Sequence, residues 1–441
     1  MVVLRPTGNG RAARGSLMEP PLAALTLAAW IRARGESTRG GLRSLAVLDA
    51  ALEGWSLDQT CEQLVSAGPD LCVIDGEGAN SAQLETLFQA LGERLPEVHT
   101  VLVAGHASRV DQEALDLAGM HFAVHGDHQR PLSELLDGLS SGRHDFDGVA
   151  GLDWRADGGQ IVRQEALARS PFLPPSPLPA WDLVDRARYL TGRPGKRREA
   201  WANLVTSRAC PPACPTCQNA YGRVFRVREL AEVLEELRQL VGELGVTTVR
   251  VADELFNHDL GRAKAFVRGF LREAPGARLR LPMGLRPDHV DAEFAQLLAQ
   301  AGVRKVTISI DSTAPHVQRL LRHNLDFTRV PAGVRHLAAA GIHVHGSFSM
   351  GWPEESNEQQ AATSRFARRG LFHTADFQAA TSDNVAEATV PLAGLSRSHR
   401  LARWATLRFY AQPTRLAGWS LLGSRRLRAW FAARRGHKTI E

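Results

Sequence analysis

The sequence predicts an α/β protein: an amino-terminal doubly wound parallel sheet, then a partial β/α barrel, then a short helical tail. Three observations carry this. Short apolar runs alternate with amphipathic stretches through the amino-terminal third. The alternation stops in a Gly- and Pro-rich stretch and resumes at Trp201. From Ser396 onward the chain is Arg-rich and studded with Leu and aromatic residues, which reads as helices.

The first strands are MVVLRP, RSLAVLD, DLCVID, HTVLVAG and HFAVHG. Between and after them lie PLAALTLAAWIRARG, SLDQTCEQLVSAG, SAQLETLFQALGERL, QEALDLAG and PLSELLDGLSSG, each with helical apolar spacing. Strand–helix alternation of this kind closes a parallel sheet with helices on both faces, and ligands bind at its carboxyl edge. This domain is expected over residues 1–142. Residues 143–199 hold a hairpin turning at Gly158-Gly159, then SPFLPPSPLPAWDLVD, whose prolines exclude a regular element and read as a linker. Strands resume with WANLVTS, TTVRVADELF, ARLRLPMGL, KVTISIDS and IHVHGSFSMG, with helices such as VRELAEVLEELRQLVGELG, DAEFAQLLAQAG and RVPAGVRHLAAAG between them. Repeated units with polar residues at strand ends predict a full or partial β/α barrel over residues 200–370. Residues 371–441 read as helices broken near Pro413 and Gly418; their aromatic and Leu content is too high for a disordered tail and predicts packing on the fold or contact with a membrane surface.

The chain has 441 residues, 53 basic and 47 acidic, for a net charge of +6. The surplus is dispersed and accompanied by no nucleic-acid-binding motif, which argues against a nucleic-acid partner. No apolar run has the length needed to span a bilayer and no signal-peptide core is present. The five cysteines form no disulfide framework, so a reducing cytoplasm is expected.

Three of those cysteines share one loop. Cys210, Cys214 and Cys217 stand in SRACPPACPTCQNAYGR with the spacing CxxxCxxC, and no fourth cysteine is near. Thiolates select zinc, copper or iron–sulfur clusters, and a closed structural site normally uses four protein ligands. Three ligands suit a 4Fe-4S cluster with one iron left open. A zinc site completed by a distant histidine, and three unligated thiols, are the alternatives.

This loop resembles the signature of the radical S-adenosylmethionine (SAM) family, with Thr216 where the family usually has an aromatic residue. VADELFNHD resembles the family's second motif, which implies that Asp253 or Glu254 holds the methionine ammonium. RLRLPMGLRPDHVDAEFAQLLAQAGVRKVTISIDST resembles its third and fourth strands, with Arg286, Ser309 and Asp311 implied at the SAM carboxylate, ribose or a substrate anion. GIHVHGSFSMGWPEES resembles its fifth strand and close, matched by Gly351, Pro353 and Glu355 beside the adenine. His343 and His345 share one face of that strand as barrel-lining acids or bases or as structural histidines; the catalytic residue is not identifiable.

The first domain resembles the cobalamin-binding domain that precedes many radical SAM enzymes, through EPPLAALTLAAWIRARG, GPDLCVID, VLVAGHAS, AVHGDHQRPLSELLDGL and PLPAWDLVD. Small residues at the carboxyl edge would let backbone approach a corrinoid: Gly76, Gly78, Ala79 and Ser81, then Ala104 and Gly105, then Gly126. Each could singly be turn chemistry. The Asp-x-His-x-x-Gly pattern of histidine-ligated cobalamin is absent, and neither His106 nor His128 sits in it, which implies a lower face without a histidine ligand.

The resemblance implies a cobalamin-dependent radical SAM methyltransferase acting on an unactivated carbon of a small molecule or natural-product intermediate. Its cofactors would be a 4Fe-4S cluster, SAM and cobalamin, with an electron donor such as flavodoxin or ferredoxin. The alternatives are a radical cyclisation, ring contraction or oxidation without methyl transfer, and a corrinoid-binding sensor with a vestigial cysteine site.

Overall fold

The structure is a computed structural model that describes residues 1–6, 20–35, 42–76, 81–104, 119–156, 159–164, 172–190, 200–212, 214, 223–369, 372–380 and 395–412. The chain divides into two compact units, one of Met1–Pro212, Gln218–Met283 and Leu297–Val303, the other of Ala213–Cys217, Gly284–Gln296 and Arg304–Glu441.

The first unit opens with strands β1 (Val2–Arg5), β2 (Ala46–Asp49), β3 (Leu71–Asp75), β4 (His99–Ala104) and β5 (Phe122–His125), then β6 (Leu152–Arg155) and β7 (Ile161–Val162). They form one sheet in the order β2-β1-β3-β4-β5-β6-β7. The first five are parallel, and β6 and β7 join antiparallel. Helices α1 (Leu22–Gly35), α2 (Ala50–Glu53), α3 (Leu57–Ala67), α4 (Ser81–Arg94) and α5 (Gln129–Ser140) connect them. Every residue of β3 is buried, as expected of a parallel strand covered on both faces. Cys61 and Cys72 lie in the core beside Leu4, Leu64, Ile74, Phe88 and Leu102. Burial pushes both thiols up, Cys72 to about 12, so neither offers a thiolate.

The hairpin expected after residue 143 is thus an edge of the first sheet, with Gly159 at φ +78° in its turn. The proline-rich segment is docked rather than loose. Ala180 donates to the Leu25 carbonyl, Arg32 makes a two-pronged pair with Asp182, and Tyr189, in the short helix α6 (Ala187–Leu190), donates to Asp49 at 2.7 Å.

The same unit holds β8 (Trp201–Leu204), the two-stranded ribbon of β9 (Ser207–Arg208) and β10 (Arg226–Val227), and β11 (Thr248–Val251) with β12 (Arg278–Arg280). β8, β11 and β12 form a parallel sheet in the order β12-β11-β8. Helix α7 (Leu230–Arg238) ends in a π-helical turn at Gln239–Glu243, where the sequence suggests one uninterrupted helix. It packs on α8 (Leu260–Glu273), where a side chain at Gly269 would meet Leu234 at 2.7 Å.

The second unit contains the parallel sheet of β13 (Lys305–Asp311), β14 (His343–Met350) and β15 (Thr374–Ala379). β15 lies within residues 371–441, expected to be helical, so the barrel's strands continue past residue 370 and the helical tail starts later. After α9 (Ala292–Gln300) come α10 (Pro315–Leu320), α11 (Val330–Ala339), α12 (Asn357–Arg369) and α13 (Leu395–Tyr410). Phe348 stacks on Phe377, which meets Phe409 of α13 with ring centres 6.2 Å apart. Tyr410 donates to the Ala375 carbonyl and accepts from its amide, so the start of the tail is clamped on β15. The tail's later part, 413–441, lies outside the described residues, and among them no helix is long and apolar enough to cross a membrane.

Gly333 on α11 lies against the Pro287 carbonyl, and a Cβ there would come within 1.9 Å of it. Overfilling so rigid a contact costs about 1–3 kcal/mol. Gly333→Ala is therefore expected to lower the urea midpoint of the second unit's unfolding, and an unchanged midpoint would contradict the packing.

Candidate functional site

The cysteine loop leaves the carboxyl end of β8 from a fixed base. Asp253, just past β11, is 1% exposed and accepts from the Thr206 amide at 2.6 Å, the Thr206 hydroxyl at 2.5 Å and the Ser207 hydroxyl at 2.7 Å. Burial pushes its carboxyl up, and these bonds oppose the shift by favouring the anion. Arg228 donates to the Val205 carbonyl and pairs with buried Glu236, while Arg262 donates to the Thr206 carbonyl. Ala209 then takes φ +74°, a left-handed conformation unusual for a residue with a side chain, immediately before Cys210. Arg223 holds the Pro212 carbonyl.

Cys210 is half-buried, Cys214 is buried, and neither is in a disulfide. Cys217 and Thr216 lie outside the described residues. The donor chemistry fits an iron–sulfur cluster: two soft thiols on a braced loop, set apart from the two core thiols. Asp253, expected at the methionine ammonium, has both carboxylate oxygens engaged in holding the loop. Glu254 sits half-buried in the next turn, where its charge acts on Arg226.

A cavity of about 390 Å³ opens at the carboxyl edge of the first sheet. Arg5 and Asp75 bound it from β1 and β3, His128 and Gln129 from the start of α5, and Pro20 and Pro21 from the entry to α1. The docked linker and the base of the cysteine loop complete it, through Ser176, Asn203, Val205 and Arg208. His128 Nε2, Gln129 Oε1, Ser176 Oγ and Asn203 Oδ1 are buried there without a hydrogen-bond partner among the described residues. Burial, and secondarily the Arg208 charge, pushes the His128 imidazole down to about 3. Gly76 donates its amide to the Val103 carbonyl, Gly126 has φ +71°, and Gly105 lies outside the described residues. The unsatisfied polar atoms fit a polar ligand at this edge, which the edge glycines alone could not indicate.

In the second unit the strand ends converge on one cluster. Arg286 pairs with Asp288 and donates to the His323 carbonyl at 2.9 Å. His323 Nδ1 is 3.3 Å from Asp311 Oδ2, and Ser349 donates to Asp311 Oδ1 at 2.7 Å. Arg286 and Asp311 are thus brought together through His323, which sequence reasoning missed because no motif surrounds it. Burial lowers the His323 pKa, and Asp311 opposes this. Asp311, Arg322, Asn324 and Glu354 all have φ between +49° and +61°, a concentration of strained backbone typical of ligand sites. Ser309 is exposed beside a bulge in β13. Gly351, at φ +86°, donates to Glu355, which also accepts from Ser312, and Pro353 sits in the turn between them.

The face of β14 and β15 opposite Phe348 and Phe377 is polar. His345 lies 2.8 Å from both Asp376 Oδ1 and Thr374 Oγ1, and His343 Nε2 is 2.9 Å from the same hydroxyl. Each histidine thus has a hydrogen-bonding neighbour on β15.

Asp253→Ala should release the base of the loop. The expected outcome is a severalfold loss of iron retained after anaerobic reconstitution, with the far-ultraviolet spectrum preserved; full iron loading would refute the bracing role. The His128 pKa has its own consequence. Its folded value lies below the unfolded value of about 6.5, so the unfolded chain binds the extra proton and stability falls as pH drops from 6.5 towards 3. Between pH 6.5 and 5 the wild type should lose about 1.5 kcal/mol more than His128→Phe, measured by urea unfolding at each pH.

Residues 204–367 match the radical SAM superfamily. The cytidylyl-2-hydroxyethylphosphonate methyltransferase of Streptomyces wedmorensis is 25% identical over 362 residues, 74% of this chain and 67% of that protein. The anaerobic magnesium-protoporphyrin IX monomethyl ester cyclase of Cereibacter sphaeroides is 23% identical over 344 residues, 76% of this chain and 55% of that protein. Among solved structures, the radical SAM methyltransferase TsrM of Kitasatospora setae, solved with cobalamin and a 4Fe-4S cluster, aligns at TM-score 0.65 and 20% identity over 86% of this chain and 72% of that one. That last likeness is one of fold. With the cysteine loop on its strand end and a five-stranded parallel sheet ahead of it, the chain carries a radical SAM domain over residues 204–367 and shares its fold, over most of its length, with a radical SAM methyltransferase solved with cobalamin bound.

Proposed function

We propose that this enzyme is a cobalamin-dependent radical SAM methyltransferase acting on an unactivated carbon of a small molecule or natural-product intermediate. The observation that carries this reading is the cavity shared by the carboxyl edge of the first sheet and the base of the cysteine loop. When bound, the cluster with SAM supplies a carbon-centred radical, and cobalamin supplies a transferable methyl group.

The chain's own residues hold and orient these groups. Cys210, Cys214 and Cys217 would ligate three irons, and Asp253 braces the strand end that presents them. Glu254, Arg286, Ser309, Asp311, Gly351 and Pro353 are the proposed SAM contacts. Gly76, Gly105 and Gly126 are the proposed close approaches to cobalamin. The protein's contribution is placement and exclusion of water. An electron donor of the flavodoxin or ferredoxin kind, in a reducing cytoplasm, would complete the system.

A second reading, radical cyclisation or oxidation without methyl transfer, is favoured by the similarity to a cyclase. Product mass separates the two, since a methylase adds one methylene unit. Anaerobically reconstituted enzyme should release 5′-deoxyadenosine from SAM, and Cys210→Ala, Cys214→Ala and Cys217→Ala should each abolish this. Release of 5′-deoxyadenosine by any one of the three variants would remove the cluster assignment.

A further inference from the structure

We propose that His128 and Gln129 recognise the amide-bearing rim of the corrinoid, with His128 Nε2 hydrogen-bonding a peripheral amide and not ligating cobalt. The inference rests on the cobalamin reading above and names residues that the family resemblance does not.

Two adjacent side chains at the start of α5 face the same cavity and are 7% and 5% exposed. His128 occupies the N-cap position, yet its side chain makes no capping bond. Its Nε2 and the Gln129 Oε1 are buried without a partner among the described residues. Leaving such groups unpaired is costly, so their native condition calls for a ligand that completes them. As a hydrogen-bonding group, Gln129 Oε1 only accepts, so its hydrogen-bond partner brings an N–H or O–H. A primary amide offers both an N–H for Gln129 and a carbonyl for a protonated Nε2. The opposite walls add two more neutral groups, Ser176 Oγ and Asn203 Oδ1. The three guanidinium groups on the wall each have a carboxylate beside them, Arg228 with Glu236, Arg5 with Asp49 and Arg208 with Asp127. The lining is therefore suited to a neutral, many-amide ligand in preference to an anion. The corrin macrocycle carries such amides around its edge. At about 390 Å³ the cavity sits at the low end for a drug-sized ligand, which matches a rim and not a whole macrocycle.

The test titrates hydroxocobalamin into the full-length, cluster-reconstituted protein and follows the visible spectrum. The variants are His128→Phe, Gln129→Leu and His128→Gln. The two apolar variants should each weaken binding about fivefold to tenfold, and His128→Gln should recover most of the loss. At neutral pH their thermal midpoints without corrinoid should be unchanged or raised, because a buried unpaired polar group has been removed. The Co(II) form should show no nitrogen splitting in electron paramagnetic resonance that depends on residue 128.

Wild-type affinity in both apolar variants would overturn the inference. So would a fall in thermal midpoint that parallels the fall in affinity, since that marks a structural role. Nitrogen splitting present in the wild type and lost in His128→Phe would replace rim recognition with axial ligation. Absence of binding by the wild-type protein would sink the cobalamin reading itself, and the inference with it.

Discussion

A carboxylate that is almost fully buried must find its hydrogen bonds inside the protein, and at Asp253 that requirement joins two strand ends. Its oxygens take the Thr206 amide and the hydroxyls of Thr206 and Ser207, so the end of β11 dictates where the chain leaves β8. Arg228 and Arg262 grip the adjoining carbonyls, and the left-handed Ala209 turns the chain towards Cys210. The entry to the cysteine loop is thereby fixed from the sheet below it.

The second unit solves a similar problem with a different chemistry. Its strand ends are tied by Arg286, Asp288, His323, Asp311 and Ser349, and the backbone around them is strained. The polar row of His343, His345, Thr374 and Asp376 occupies one face of the sheet, and the aromatic stack of Phe348, Phe377 and Phe409 the other. Period-two alternation along β14 produces this division, since His343 and His345 project opposite to Val344 and Phe348.

Much of this was legible in the sequence, for definite reasons. Parallel strands covered on both faces are apolar runs, so DLCVID and HTVLVAG announced themselves. Cysteine spacing is local and survives without a structure. What escaped was non-local. Nothing in VADELF indicates that Asp253 will meet a threonine 47 positions earlier. The proline-rich stretch reads as a linker because prolines exclude regular elements, yet they do not exclude docking, and Tyr189 anchors it to Asp49. His128 sits in no sequence motif, and its burial in a wall assembled by distant segments is visible only in the fold. Cys217 and Gly105 fall outside the described residues, so the full ligand set and the fourth strand's turn rest on the sequence.

The clamp between α13 and β15 also orders events in time. Phe377 is covered by Phe409, and the Ala375 backbone is capped by Tyr410, both made after the sheet they protect. While the ribosome is still adding residues 395–410, the aromatic face of β15 lacks this cover. Synthesis proceeds at about 5–20 residues per second, so the bare surface persists for seconds in a chain whose first sheet can already have folded.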